Sequence, residues 1–276
     1  MSADPKQQGA AFWNGNPCGG SWRSYREFMA WIQRTEPYIY RVLDRHDWTG
    51  KRVLEVGCGQ GSTLNYLPGL GANVCGVDMS KESLIKARRG ADEMGHADRI
   101  ELCTGDAELL PFSGESFDTV ISIGVLHHTA DTQGSICDIL RVLKPGGVAI
   151  VMLYRSGNPK WWTTRSLRWL SFLLDRVKGE KFVIARRLRR RQKEGMLQGT
   201  ALLELFGVPI LKAFSNEECR AMFMGFSDVT ITNHQPGFER NCDIIPVLRP
   251  FRHLFRRVDA MMEDQWGFYQ VIEAYK

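Results

Sequence analysis

Little in this chain suits a secreted or metal-built protein. Its seven cysteines are odd in number, widely spaced and never arranged as C-x-x-C, so neither a disulfide framework nor a cysteine zinc site is expected. The six histidines form no H-x-x-x-H or H-E-x-x-H pattern, and no metal is expected. No uncharged apolar run approaches the roughly 18 residues that a membrane span needs. The N-terminus lacks a basic start followed by an apolar core and a cleavage site. With 43% hydrophobic and 24% charged residues, the composition is that of a soluble globular protein, and the expectation is a cytoplasmic one. No internal repeat is seen. At 276 residues, one catalytic domain with an inserted cap fits the length better than two full domains.

Charge is present but unevenly spread. Between Arg155 and Lys193 lie 13 Lys or Arg against Asp175 and Glu180, a local +11, which leaves the remainder of a chain of net charge +5 at −6. The densest part is Arg186-Arg-Leu-Arg-Arg-Arg191. Such a run is either a solvated helix face or a site for phosphates, anionic lipid or nucleic acid. Nucleic acid is the less expected partner, because the nearby aromatics precede the basic run instead of alternating with it as stacking platforms.

Residues 1–10 offer nothing to bury and are expected to be disordered. Residues 11–48 are dense in aromatics, with helical spacing from Ser24 to Trp31 and again from Pro37 to Asp44. A regular alternation follows. Strands are expected at Val53–Val56, Asn73–Val77, Ile100–Thr104, Phe117–Ile123 and Gly147–Tyr154. Helices are expected at Ser62–Leu67, Lys81–Met94 and Thr132–Leu143. This pattern implies right-handed crossovers and a doubly wound parallel sheet covered on both faces. Residues 155–212 interrupt it with a tryptophan- and arginine-rich stretch, the expected cap. Ser215-Asn-Glu-Glu218 then has the form of a capping box opening a helix. Val229–Thr232 and Phe268–Ala274 read as two final strands, separated by an irregular stretch containing Pro236, Pro246 and Pro250. The domain expectation is an N-terminal helical lid (1–48), a core (49–154), a helical cap (155–212) and the rest of the core sheet (213–276).

The chemistry is carried by Val53-Leu-Glu-Val-Gly-Cys-Gly-Gln-Gly61, a buried strand entering a glycine-rich turn. Gly57, Gly59 and Gly61 let the backbone bend and approach a ligand without obstruction. Glu55 sharpens the reading. An acid inside the apolar strand before the loop gives nothing to a pyrophosphate but favours a cation, such as a ligand carrying a sulfonium and an ammonium. About twenty residues on, Asp78 ends the second strand, where a carboxylate can accept both hydroxyls of a ribose and Met79 can pack on a purine. Asp106 and Ala107 follow the third strand; there an acid can accept from an adenine amine while a backbone N–H reaches a ring nitrogen. These acids stand at the carboxyl ends of successive strands, where open α/β sheets bind ligands.

Taken with Val125-Leu-His-His-Thr-Ala-Asp131 and Arg141-Val-Leu-Lys-Pro-Gly-Gly147, these motifs resemble those of the class I S-adenosylmethionine-dependent methyltransferases, in the broad methyltransferase type 11 family. The resemblance covers residues 50–154. It implies a Rossmann-like seven-stranded sheet whose last strand is antiparallel, with S-adenosyl-L-methionine as cofactor. It also implies that Glu55, Gly57, Cys58 and Gly59 hold the methionine moiety and the Ile123 backbone its amino-acid end. Asp78 is implied at the ribose, and Met79, Asp106 and Ala107 at the adenine.

The acceptor is less legible. His127 and His128 lie where the fourth strand delivers side chains beside the transferring methyl, so either is a candidate general base, or one packs and the other caps a helix. Trp13, Tyr25, Trp161 and Trp162 are candidates for an acceptor chamber that excludes water; the alternative for the tryptophans is a dimer interface. The expected reaction is displacement of the sulfonium methyl by an O, N or C nucleophile of a small molecule. Two competing readings are a membrane-associated lipid or nucleic-acid methyltransferase using the basic 155–193 segment, and a non-catalytic S-adenosylmethionine-binding protein.

Overall fold

Five strands rich in Val, Ile and Leu need cover on both faces, and the helices between them supply it. The computed structural model describes residues 5–18, 20, 22–179, 183, 184, 186–188, 206–239 and 246–276. Within them the strands are β1 (Arg52–Val56), β2 (Asn73–Asp78), β3 (Ile100–Thr104), β4 (Phe117–Ile123), β5 (Leu143–Tyr154), β6 (Asp228–His234) and β7 (Tyr269–Tyr275). The helices are α1 (Pro5–Gly15), α2 (Tyr25–Thr35), α3 (Pro37–Leu43), α4 (Lys81–Met94), α5 (Thr132–Val142), α6 (Pro159–Lys178), α7 (Asn216–Met222) and α8 (Arg252–Trp266). One sheet results, in the order β3-β2-β1-β4-β5-β7-β6. The first five strands run parallel, and β7 is antiparallel to both β5 and β6. This is the Rossmann-like, doubly wound sheet with an antiparallel last strand that the sequence implies.

The order reverses between β1 and β4. From β1 the chain winds outward to β2 and β3, then returns to place β4 on the other side, so the loops after β1 and β4 part and leave a crevice at the carboxyl edge. Two apolar layers fix that edge. On one face Phe28, Tyr38, Leu43 and Ala87 pack over Val53 and Val74; on the other Ile136, Ile139 and Phe223 pack over Leu54 and Val120. The capping box is present as read, with the Glu218 N–H donating to Ser215 Oγ and the Ser215 N–H donating to the Glu218 carboxylate.

Three expectations need correction. Residues 5–10 belong to helix α1, not to a disordered leader, because Phe12 is buried beside Val208 and Lys6 is held by acids about a hundred residues away. The helix expected over Ser62–Leu67 is a single turn, seen in the Asn65-to-Gly61 and Leu67-to-Thr63 backbone bonds; Pro68 and Gly69 end it in a 3₁₀ turn. The stretch between β6 and β7, read as irregular from its prolines, contains the 15-residue helix α8, whose sequence holds no proline. Of the cap expected over 155–212, residues 180–182, 185 and 189–205 lie outside the described residues, and with them Arg189–Arg191, half of the Arg186–Arg191 run.

Candidate active site

The glycine loop is anchored before it turns. The N–H groups of Gly57 and Cys58 both donate to the Val77 carbonyl, at 2.7 and 3.1 Å, which pins the end of β1 to the end of β2. Gly57 has φ +71°, and a Cβ there would lie 2.3 Å from Val125, so the loop can take this path only with glycine at that position. Asp78 then closes the loop from below: its Oδ2 accepts from the Gly59 N–H and its Oδ1 from the Ser80 N–H, both at 2.8 Å. Burial raises its carboxyl above the ordinary range, while those two backbone donors pull it back. Each oxygen keeps a second lone pair.

Glu55 is 3% exposed, and one of its carboxylate oxygens has no hydrogen-bond partner among the described residues. Burial pushes its carboxyl well above the usual range, against bonds from the Leu64 backbone and the Thr63 hydroxyl. An unpaired buried carboxylate is costly unless a cation is brought to it. Across the crevice Asp106 accepts from Lys6 at 3.0 Å and from the Glu108 N–H at 2.9 Å; Lys6 also reaches Glu108 at 2.6 Å, and these acids raise its ammonium to about 12.

All nine sequence candidates for the cofactor end line one cavity of about 280 Å³: Glu55, Gly57, Cys58, Gly59, Asp78, Met79, Asp106, Ala107 and Ile123. The same cavity continues into an aromatic chamber walled by Trp13 of α1, Phe28 and Trp31 of α2, Met152 and Tyr154 of β5, and Tyr269 of β7. Cys58 is buried, and burial holds its thiol well above the usual range, so it contributes surface and not a thiolate.

The two histidines part company. They lie in a 3₁₀ turn, where consecutive side chains diverge. His128 faces the cavity. Its Nδ1 lies 2.8 Å from the Ile210 carbonyl, an acceptor only, so in the neutral ring Nδ1 carries the proton and Nε2 the basic lone pair. His127 is fully buried, stacked on Tyr154 at 3.8 Å, and neither ring nitrogen has a partner among the described residues. Burial and the neighbouring His128 depress its pKa far below the usual imidazole range, so it is a neutral packing ring that does not line the cavity.

Three further candidates are not brought to the cavity wall. Tyr25 turns to the protein instead: its hydroxyl donates to the Gly61 carbonyl at 2.5 Å and accepts from Asn65 at 2.9 Å. Trp161 sits in the first turn of α6 and packs on the apolar layer, and Trp162 beside it is 59% exposed. Both follow from α6 leaving the sheet edge after Tyr154, outside the crevice. What sequence reasoning missed is Lys6, Gln60 and Ile210. Gln60 holds the leader to the loop by donating to the carbonyls of Cys18 and Gly20. No spacing rule signals such contacts, which join segments about forty to a hundred residues apart.

An acid-lined, glycine-turned crevice at the switch point of a seven-stranded sheet defines a nucleoside-binding Rossmann-like protein. A methyltransferase domain model matches residues 54–151. A ubiquinone biosynthesis O-methyltransferase of Thiobacillus denitrificans is 30% identical over 200 residues, spanning 71% of this chain and 85% of that protein. A demethylmenaquinone methyltransferase of Tropheryma whipplei is 37% identical over 129 residues, 46% of this chain and 52% of its own length. A solved S-adenosylmethionine-dependent methyltransferase from Mesorhizobium loti shares the fold, with a TM-score of 0.50 and 16% identity over 87% of this chain and 96% of that one. The chain belongs to the class I S-adenosylmethionine-dependent methyltransferases, and S-adenosylmethionine is its methyl donor. The residues present fit that donor. The unpartnered Glu55 oxygen suits its cationic end, and the spare lone pairs of Asp78 suit a ribose diol. Among the described residues no cluster of His, Cys, Asp and Glu is arranged to hold a metal ion.

Proposed function

We propose that this enzyme methylates a hydroxyl oxygen of a small apolar acceptor held in the aromatic chamber, with His128 as the general base. The observation that carries this reading is the place of His128: on the cavity wall beside Trp13 and Tyr154 of the chamber, with Nδ1 tied to the Ile210 carbonyl, which in the neutral ring puts the basic lone pair on Nε2. S-adenosylmethionine, when bound, supplies an electrophilic methyl group on a sulfonium. Glu55 would hold its cationic end, Asp78 its ribose, and Met79, Asp106 and Ala107 its adenine. The rings of Trp13, Phe28, Trp31 and Tyr154 exclude water and align the acceptor, which is where most of the acceleration of a sulfonium transfer arises. His128 then takes the hydroxyl proton as the oxygen becomes bonded to carbon.

An apolar acceptor accords with the chamber's composition and with the quinone pathways named in two of the relatives. We assign the chain to the cytoplasm, with a peripheral membrane contact through the segment that follows β5. The test is turnover of phenolic acceptors with His128→Ala. Its kcat should fall by about a hundredfold while the affinity for S-adenosylhomocysteine stays within about threefold. An unchanged kcat would remove the base and leave alignment alone; methylation confined to amines would overturn the oxygen assignment.

A further inference from the structure

Surface helices of globular proteins turn their apolar stripe inward, and α6 does the reverse. Trp162, Trp169, Leu170 and Val177 are 59, 63, 58 and 83% exposed. At helical spacing these four fall on one face roughly 100° wide. The opposite side, turned to the protein, carries polar groups: Ser171 is 5% exposed, Arg168 donates to the Val208 carbonyl at 3.0 Å, and Asp175 accepts from the Val183 N–H at 3.0 Å. Beside the apolar face lie Phe172, 56% exposed, and Arg176, whose guanidinium stands 5.3 Å over the Phe172 ring. Arg165 borders the same edge. Trp161 in the first turn packs inward, but from Arg168 to Asp175 the helix is held by polar groups and offers an apolar face outward.

We propose that α6 docks this enzyme on an anionic lipid surface. Charge selects that occupant over a second copy of the chain. Lys160, over the Phe268 and Tyr269 rings, and Arg168 and Asp175 are turned to the protein, which leaves Arg165 and Arg176 bordering the apolar face with no acid of the helix beside them; two copies meeting face to face would oppose these like charges, whereas anionic headgroups attract them. Tryptophan and leucine on one face with basic residues at its border is the composition of a helix lying in the membrane interface. No helix among the described residues is long and apolar enough to cross a membrane, so the contact is one of lying on the surface. Further along the sequence, Arg186–Arg191 adds cations of the same sign. The helix starts five residues after Tyr154 on the cavity wall. Docking therefore sets the chamber near the layer where an apolar acceptor partitions, and this purpose rests on the acceptor reading above.

The full chain is sedimented with vesicles of phosphatidylcholine alone and of phosphatidylcholine with about one-third phosphatidylglycerol. Wild type should bind the anionic vesicles about tenfold more tightly than the neutral ones. Trp169→Ser with Leu170→Ser, and separately Arg165→Glu with Arg176→Glu, should each weaken anionic binding about tenfold, with S-adenosylhomocysteine binding unchanged as evidence of folding. Absence of wild-type binding, or equal binding by both variants, overturns the proposal. Dimers that Trp169→Ser with Leu170→Ser dissolves, without vesicle binding, overturn it by giving the face to a second copy. Failure of the acceptor reading would show separately, as vesicle binding without turnover of any apolar hydroxyl compound.

Discussion

The two ends of the cavity are built by different means. At the cofactor end the work is done largely by backbone: Gly57, Cys58 and Gly59 spend their N–H groups on Val77 and Asp78, so the turn after β1 is closed by residues between Val53 and Ser80. At the acceptor end the wall is made of rings from α1, α2, β5 and β7, segments up to about 250 residues apart, joined by packing and by single bonds such as His128 to Ile210. Short-range polar wiring tolerates almost no substitution, because each missing donor or misplaced Cβ has no substitute nearby. Long-range packing tolerates more, because neighbouring side chains can relax.

The largest expected effect breaks the wired end outright. Gly57→Val puts a β-branched residue at φ +71° and drives its Cβ into Val125, so the loop must leave its path. Calorimetry should find no S-adenosylhomocysteine binding in a protein whose circular dichroism is otherwise native. Retained binding would show that the loop adapts as the chamber does. Asp78→Ala should come next. Loss of the proposed diol acceptor costs about 1.5 to 3 kcal/mol, roughly ten- to a hundredfold in affinity. An unchanged constant would remove Asp78 from the ribose.

A smaller effect is expected from Glu55, and it depends on pH. Its carboxyl titrates well above the usual range in the folded free protein, so the native state binds a proton that the unfolded chain has already lost. Stability of the free protein therefore falls as pH rises above the ordinary glutamate range, through the folded pKa. A cation at Glu55 favours the charged form, so donor affinity should rise over the same window, with a proton released on binding. Glu55→Gln should flatten both profiles, raise the melting temperature of the free protein at neutral pH, and weaken the donor by about tenfold. Parallel pH profiles for wild type and variant would place the cation elsewhere.

How much of this was legible in the sequence follows the same division. Glu55, Asp78 and Asp106 each sit at a strand end that apolar periodicity locates, and the glycines between them have a backbone reason to be there, so local reading places them together. His127 and His128 could not be told apart, since neighbouring positions in a 3₁₀ turn differ in direction and not in pattern. Size alone draws Trp161 and Trp162 toward the chamber, on the premise that large apolar side chains go inward; Trp161 does go inward but packs on the apolar layer without lining the cavity, and Trp162 is left exposed on the outer face of α6. Lys6 was lost in a leader that looks empty, because its partners Asp106 and Glu108 lie across the sheet.

The smallest effect concerns Tyr25, which stands between the two ends. It belongs to the aromatic α2 yet spends its hydroxyl on the glycine loop, donating to Gly61 and accepting from Asn65. Its ring fills the space over Gly90, where a Cβ would come within 2.4 Å of it. Burial holds the hydroxyl above the ordinary phenol range, so it remains a donor at any working pH. In Tyr25→Phe the ring stays and the hydroxyl goes. Gly61 is not left bare, since Asn65 also donates to its carbonyl at 3.2 Å, and Asn65 keeps a second acceptor in the Ala87 carbonyl at 3.3 Å. The cost should therefore lie near 1 kcal/mol of stability, the low end for a buried hydrogen bond (about 1 to 3 kcal/mol), read as a lowered urea midpoint with unchanged slope. Donor affinity should move by less than about threefold, and acceptor KM should not move, because the ring does not line the chamber. A raised acceptor KM with unaltered stability would mean that Tyr25 reaches the acceptor after all. The wired end and the packed end would then share a residue, and the division drawn between them would fail at that point.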